Sequence, residues 1–188
     1  MLSVVIPTRE SERLLVPTLS ALVPGAVAGV VREVIVADAG SQDATAQVAD
    51  VAGCRFEAIP GALGARLVSA AALARAPWLL FLRPGCVPEP SWIEEIEGFV
   101  RECELAADER AAVFRSGGRG RSAIVEMLAL AAAIFARARP EQGLLIAKEF
   151  YGRLGGHDAN AAAPEAELLR RLGSRRVTVL RCAMAQSR

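Results

Sequence analysis

The sequence predicts an α/β domain built on a mostly parallel central sheet, and three observations carry that prediction. The run Leu2-Ser3-Val4-Val5-Ile6-Pro7-Thr8 is short, apolar and stopped by proline, the pattern of a buried strand at the carboxyl edge of a sheet. Strand, polar turn and helix then occur twice within about the first 50 residues, the signature of parallel β-α units. Finally, 188 residues with a hydrophobic share of 53% are enough for one substantial core, so a single domain over residues 1–188 is expected.

The elements follow in order. After the first strand, Leu14, Leu15, Thr18, Leu19 and Leu22 recur at helical spacing, with Ser11 or Glu12 placed to cap the first turn and Pro24-Gly25 expected to end the helix. Val34-Ile35-Val36-Ala37 is a second strand. Asp38-Ala39-Gly40-Ser41-Gln42-Asp43 is its polar turn, with Ser41 or Asp43 placed to cap the helix through Val48 and Val51. Strands are expected near residues 2–7, 33–37, 55–58, 78–82, 111–115, 143–147 and 176–181, with helices on both faces.

Composition narrows the function classes. Twenty-two basic against 21 acidic residues leave a net charge of +1, which gives no reason to expect a nucleic acid as partner. Arg115, Arg119 and Arg121 gather around Gly117, Gly118 and Gly120 in a basic loop with two readings, a solvated segment or a contact for a diphosphate or anionic lipid. The cysteines Cys54, Cys86, Cys103 and Cys182 have neither close pairing nor metal-ligand spacing and read as reduced structural thiols. The apolar start runs straight into Pro7 and charged residues, unlike a signal peptide, so a cytoplasmic location is expected, with the inner face of the membrane as an alternative. The segment 123–136 is the most apolar helix candidate, too short to span a bilayer. It reads as a buried or amphipathic helix, or as a peripheral membrane or homodimer contact.

The segments Ser3-Val4-Val5-Ile6-Pro7-Thr8 and Val34-Ile35-Val36-Ala37-Asp38-Ala39-Gly40-Ser41-Gln42-Asp43-Ala44-Thr45 resemble the "SVVIPTYNE" and "EIIVVDDGSTDGT" of family-2 nucleotide-sugar glycosyltransferases of the GT-A type. Further on, Leu79-Leu80-Phe81-Leu82 followed by Val87-Pro88-Glu89-Pro90-Ser91-Trp92-Ile93 is similar to that family's "LLFLDADTxLPPGWLE". Residues 142–157 resemble the "DQAIFVRRELFEEVGGF" of its small bacterial members, and Glu165-Ala166-Glu167-Leu168-Leu169-Arg170-Arg171-Leu172 falls where these carry "EDxxLxRRL". The resemblance covers nearly the whole chain and keeps the motifs in order.

What it implies is a GT-A-like three-layer fold and transfer of a sugar from a nucleotide-sugar donor to a cell-envelope or lipid-type acceptor. Such a reaction needs a nucleoside pocket, a counter-charge for the departing diphosphate and a base for the acceptor hydroxyl. The resemblance assigns the nucleotide to Pro7, Thr8 and Asp38 at the ends of the first two strands, where open α/β sheets bind ligands. Pro7 as a strand stop, and Asp38 as an Asx-turn and helix-cap residue with Ser41 and Asp43, is the structural alternative. Arg66, in Gly61-Ala62-Leu63-Gly64-Ala65-Arg66, stands near a helix start that suits a phosphate and equally suits solvent. Glu165 falls on the catalytic base, preceded by Pro164; the pair also makes a good first helical turn. His157, the only histidine, stands where the family usually has an aromatic.

The main departure lies after the third β-α unit. The family binds Mn²⁺ or Mg²⁺ there through a short acidic motif, whereas this chain reads Arg83-Pro84-Gly85, with no side-chain oxygen to offer. The nearest carboxylate, Glu89, lies beyond Pro88 and is expected at the start of the next helix. The metal site therefore reads as degenerate. Arg83 has two readings: a cation standing near the diphosphate itself, or a remnant of lost catalysis. The competing function is a non-catalytic nucleotide-binding or protein-interaction module that keeps the fold. A nucleotidyltransferase is disfavoured because the first strand is not followed by a glycine-rich pyrophosphate loop.

Overall fold

The computed structural model describes residues 1–117 and 142–187; Gly118, Arg119, Gly120 and Arg121 of the basic loop, and the apolar segment 123–136, lie outside them. The strands are β1 (Leu2–Thr8), β2 (Val31–Asp38), β3 (Arg55–Ala58), β4 (Trp78–Phe81), β5 (Cys86–Pro88), β6 (Ala111–Ser116), β7 (Leu144–Ala147) and β8 (Val177–Gln186). The helices are α1 (Glu12–Val27), α2 (Thr45–Val51), α3 (Leu63–Leu73), α4 (Trp92–Ala106), α5 (Lys148–Arg153) and α6 (Pro164–Leu172). They form one eight-stranded sheet in the order β3-β2-β1-β4-β7-β6-β8-β5. β3, β2, β1 and β4 run parallel, while β7 is antiparallel to both β4 and β6.

The three-layer arrangement follows from strand alternation. Leu2, Val4 and Ile6 of β1 join a core with Leu15, Leu19 and Leu22 of α1 and Trp92, Ile96 and Phe99 of α4. On the opposite face Val5 packs with Leu67 and Ala70 of α3, Phe150 of α5, and Leu168 and Leu172 of α6. Every residue of β1 is buried, as a central parallel strand covered on both sides requires.

Two expectations at α1 are corrected. Ser11 makes no side-chain cap bond to the helix, and the chain does not stop at Pro24-Gly25: the helix contains both Pro17 and Pro24 and runs to Val27. Its last turn is held from outside. A Cβ on Gly25 would overlap the buried Trp92 ring, so glycine lets the helix press against α4, and Val30 N–H closes back on Gly25 O at 2.9 Å. This tertiary seat offsets the backbone bonds the prolines remove. A third correction is β5, which the expected strands omit. It is three residues long, lies on the sheet edge and ends in Pro88, where a missing N–H is harmless. Glu89 sits just past this strand rather than within α4, and its Oε2 accepts Ala183 N–H at 2.7 Å, fastening β8.

Candidate functional site

Strand order locates the site. From β1 the chain steps outward through β2 to β3, then returns to the other side of β1 as β4, so the order reverses between β1 and β4. At such a reversal the loops leaving the carboxyl ends diverge and open a crevice. Thr8, Asp38, Arg66, Arg83 and Glu165 fall into two groups along this edge.

The first group closes the ends of β1 and β2. The buried Asp38 carboxylate accepts four hydrogen bonds: Oδ1 from the Thr8 hydroxyl at 2.7 Å and the Ser41 hydroxyl at 2.6 Å, Oδ2 from Gly40 N–H at 2.7 Å and Ser41 N–H at 2.6 Å. Burial alone pushes its pKa up, but the bonds from Ser41, Thr8 and Gly40 outweigh it and leave the carboxyl below its ordinary value. The Asx-turn reading of Asp38 is thus what the geometry displays. Ser41, read from the sequence as a cap and as a member of this Asx-turn, donates to both carboxylate oxygens.

Beyond Asp38, the starts of α1 and α2 cap one another. Glu12 N–H donates to Asp43 Oδ2 at 3.0 Å, Ala44 N–H returns to Glu12 Oε2 at 2.9 Å, and Ser11 N–H reaches Thr45 Oγ1 at 2.9 Å. Asp43 also accepts Thr45 N–H at 3.0 Å, but it stands one residue before the α2 cap position, which is Ala44 and carries no side-chain cap bond, so neither Ser41 nor Asp43 is the N-cap expected of them. These bonds join residues about thirty positions apart and fix the two loops as one rim.

Arg66 lies beneath that rim. Its guanidinium is buried and donates through one terminal nitrogen to Thr8 O at 2.8 Å and Ala37 O at 3.0 Å, tying α3 to the ends of β1 and β2. Burial lowers its pKa and the nearby Asp38 charge opposes that. Its Nε is buried without a hydrogen-bond partner among the described residues.

The second group follows β4. Cys86 N–H closes on Arg83 O at 3.1 Å, making Arg83-Pro84-Gly85-Cys86 a β-turn with proline second and Gly85 third at φ +88°. Gly85 N–H donates to the Thr18 hydroxyl and to Leu14 O of α1, both at 2.9 Å, and Gly85 O accepts Ser187 N–H at 2.8 Å. The turn is therefore bolted to its surroundings. From it Arg83 forks onto Glu165, with Nε 2.9 Å from Oε1 and the second nitrogen on Oε2. The arginine side chain is 39% exposed and the glutamate 12%.

Glu165 sits in the first turn of α6 behind Pro164, so its helix-start and site readings describe one position. Leu168 and Leu172 bury the helix, and Arg171 clamps it by donating to Leu154 O and, at 2.5 Å, to Gly156 O. His157 is a buried packing residue. Its ring meets Phe81 edge-on at 4.8 Å, and its Nδ1 lies 2.9 Å from the Tyr151 hydroxyl oxygen. Burial, aided by the Arg171 charge, lowers its pKa to about 4, so it is a neutral core residue at physiological pH. Among the described residues, no three or more His, Cys, Asp or Glu come together to hold a metal ion. Nor is any helix among them long and apolar enough to cross a membrane.

Comparison with known proteins agrees with this geometry. The model of the family described as glycosyl transferase family 2 matches residues 3–161. Residues 1–349 of TarS from S. aureus superpose with a TM-score of 0.76 at 18% identity, covering 97% of this chain and 59% of that one. The TarS complex with UDP-GlcNAc gives 0.74 at 18% identity, covering 100% and 58%. Glucosyl-3-phosphoglycerate synthase from Mycobacterium tuberculosis, in complex with Mn²⁺, UDP and glucosyl-3-phosphoglycerate, gives 0.70 at 21% identity, covering 100% and 72%. The chain thus spans about three fifths of the TarS structures, and at these identities the likeness is one of fold. No curated protein sequence matches the chain.

Proposed function

Because the chain belongs to glycosyl transferase family 2, we propose that it transfers a sugar from a nucleotide-sugar donor to an acceptor hydroxyl, with Arg83 in place of a metal as counter-charge for the diphosphate. The observation that carries this reading is the Arg83–Glu165 pair beside the β1/β4 reversal, a cation and a carboxylate of the kinds the proposed reaction asks for as charge stabiliser and base. A divalent ion does not fit these residues: both oxygens of Glu165 are engaged by a guanidinium, and Pro84 and Gly85 bring no ligand.

In the proposed reaction Pro7, Thr8 and Asp38 frame the nucleoside. A base N–H reaches Asp38 Oδ1 by displacing the Thr8 hydroxyl, which can rotate away, while Oδ2 stays on its backbone donors. Arg66 contributes positive charge beneath the phosphates. Glu165 takes the acceptor hydroxyl proton and the oxygen bonds to the anomeric carbon. The bond from that carbon to the diphosphate breaks, and the diphosphate leaves with the electron pair against Arg83. The resemblance of residues 142–172 to small bacterial members suggests a cell-envelope or lipid-type acceptor, and with it work in the cytoplasm at the inner face of the membrane.

Thermal unfolding with UDP, GDP, CDP or dTDP, in EDTA or in Mn²⁺, tests this. One nucleotide should stabilise the protein in EDTA, by about 2.7 kcal/mol at a hundredfold excess over Kd, and Arg83→Ala should lose the effect. Stabilisation that requires Mn²⁺ overturns the arginine reading. Stabilisation by none of them favours the non-catalytic module, a reading to which the occupied state of Glu165 lends its own support.

A further inference from the structure

The Arg83–Glu165 contact poses a chemical question. Resting on the reading above, the diphosphate and Glu165 require the same guanidinium, and Glu165 cannot serve as a base while Arg83 spans both of its oxygens. We propose that Arg83 is a partner-exchanging lock: it holds Glu165 while no donor is bound, and hands its fork to the diphosphate when the donor arrives, releasing the base only then.

Three features of the fold suit an exchange confined to side chains. The backbone under Arg83 is fixed by the Pro84-Gly85 turn and its bonds to Leu14, Thr18 and Ser187. The backbone under Glu165 is fixed by Pro164, by the buried Leu168 and Leu172, and by the Arg171 clamp. The arginine is the more exposed member, so it can swing toward the crevice without unpacking the core. After release Glu165 keeps the favourable field of the α6 N-terminus, which acts within the first turn where it sits. A diphosphate carries more charge than one carboxylate and offers the same bidentate geometry, so it competes well for the fork.

The lock predicts that a catalytically damaging change at Glu165 improves diphosphate binding. Isothermal titration in EDTA, with inorganic pyrophosphate and UDP as probes and uridine as control, measures it on wild type, Glu165→Gln, Arg83→Lys and Arg83→Ala. Glu165→Gln should bind pyrophosphate and UDP about threefold to tenfold more tightly, the scale of one partly exposed ion pair, with uridine binding unchanged and donor turnover lost. Arg83→Lys should bind more weakly than wild type because a point charge replaces the fork, and Arg83→Ala more weakly still. Wild-type or reduced diphosphate affinity in a folded Glu165→Gln overturns the lock while leaving the proposed function intact. Failure of wild type to bind pyrophosphate or any of UDP, GDP, CDP and dTDP overturns both, and is told apart by that wild-type measurement alone.

Discussion

Two carboxylates stand at the carboxyl edge of the sheet, Asp38 within the turn after β2 and Glu165 of α6 facing the turn after β4, and they are held in opposite ways. Asp38 is buried and accepts four donors from its own turn and from Thr8: Oδ2 is committed to backbone N–H groups, so its charge organises the backbone, and only the hydroxyls on Oδ1 can give way. Glu165 is reached from the other turn by one arginine side chain that is 39% exposed, and no backbone depends on that contact. A carboxylate satisfied by backbone N–H groups is a structural member, since those donors cannot follow another acceptor. One satisfied by a swinging guanidinium is available for exchange.

Removing each carboxylate should separate the two roles, and the largest loss is expected at Asp38. Asp38→Ala leaves two buried N–H groups and two hydroxyls without their acceptor, a cost of about 3–4 kcal/mol in urea unfolding at pH 7. Asp38→Asn should cost about half as much, because the amide oxygen can keep the backbone donors while the Thr8 and Ser41 hydroxyls turn to accept from its nitrogen. Equal losses from the two changes would show that the four-donor arrangement is not what holds the rim.

The second prediction takes the contrast to His157, which shares the Glu165 side of the site but is committed to packing. Its folded pKa of about 4 lies below an unfolded value near 6.5. Above pH 6.5 both states are neutral. As pH falls from there toward 4, the unfolded chain takes up a proton that the folded chain refuses, and stability drops by on the order of 3 kcal/mol. His157 is the only histidine, so most of the loss between pH 6.5 and 4.5 should be its own, the carboxyls of Glu33, Asp38 and Asp43 adding theirs only at the acid end of that window. His157→Phe should flatten the curve of stability against pH in that window. An unchanged slope would mean that the ring is not held neutral by burial.

How legible all this was in the sequence depends on sequence distance. β1, β2, β4, β6 and β7 announced themselves through local apolar runs, and the Arg83-Pro84-Gly85 turn through proline and glycine. Local rules failed where a distant element decided the outcome. α1 runs past Pro24 because Trp92 receives Gly25, and β5 is a strand only because β8 pairs with it. Glu12 and Asp43 trade capping duties across about thirty residues, something a capping rule confined to the first turn cannot foresee. The Asp38 Asx-turn was readable because its donors are two and three residues away. The Arg83–Glu165 pair was not, because 82 positions separate its members and only the fold of β4 against α6 brings them together.

The smallest effect on stability is expected at Glu165, and that smallness is the point of the comparison. Glu165→Gln removes one charge from a pair whose arginine is screened by water, and the glutamine can still cap and pack in the first turn of α6, so the cost should stay within about 1 kcal/mol. Its burial makes this a real test: a pair that anchored the fold would leave an uncompensated guanidinium and cost about 3 kcal/mol or more. Urea unfolding of Glu165→Gln beside Asp38→Asn, in one buffer at low salt and again at high salt, decides it. A small loss that shrinks further with salt marks the pair as exchangeable. A loss as large as that at Asp38 would make Arg83 and Glu165 a structural rivet, with the chemistry of the crevice then falling to other groups.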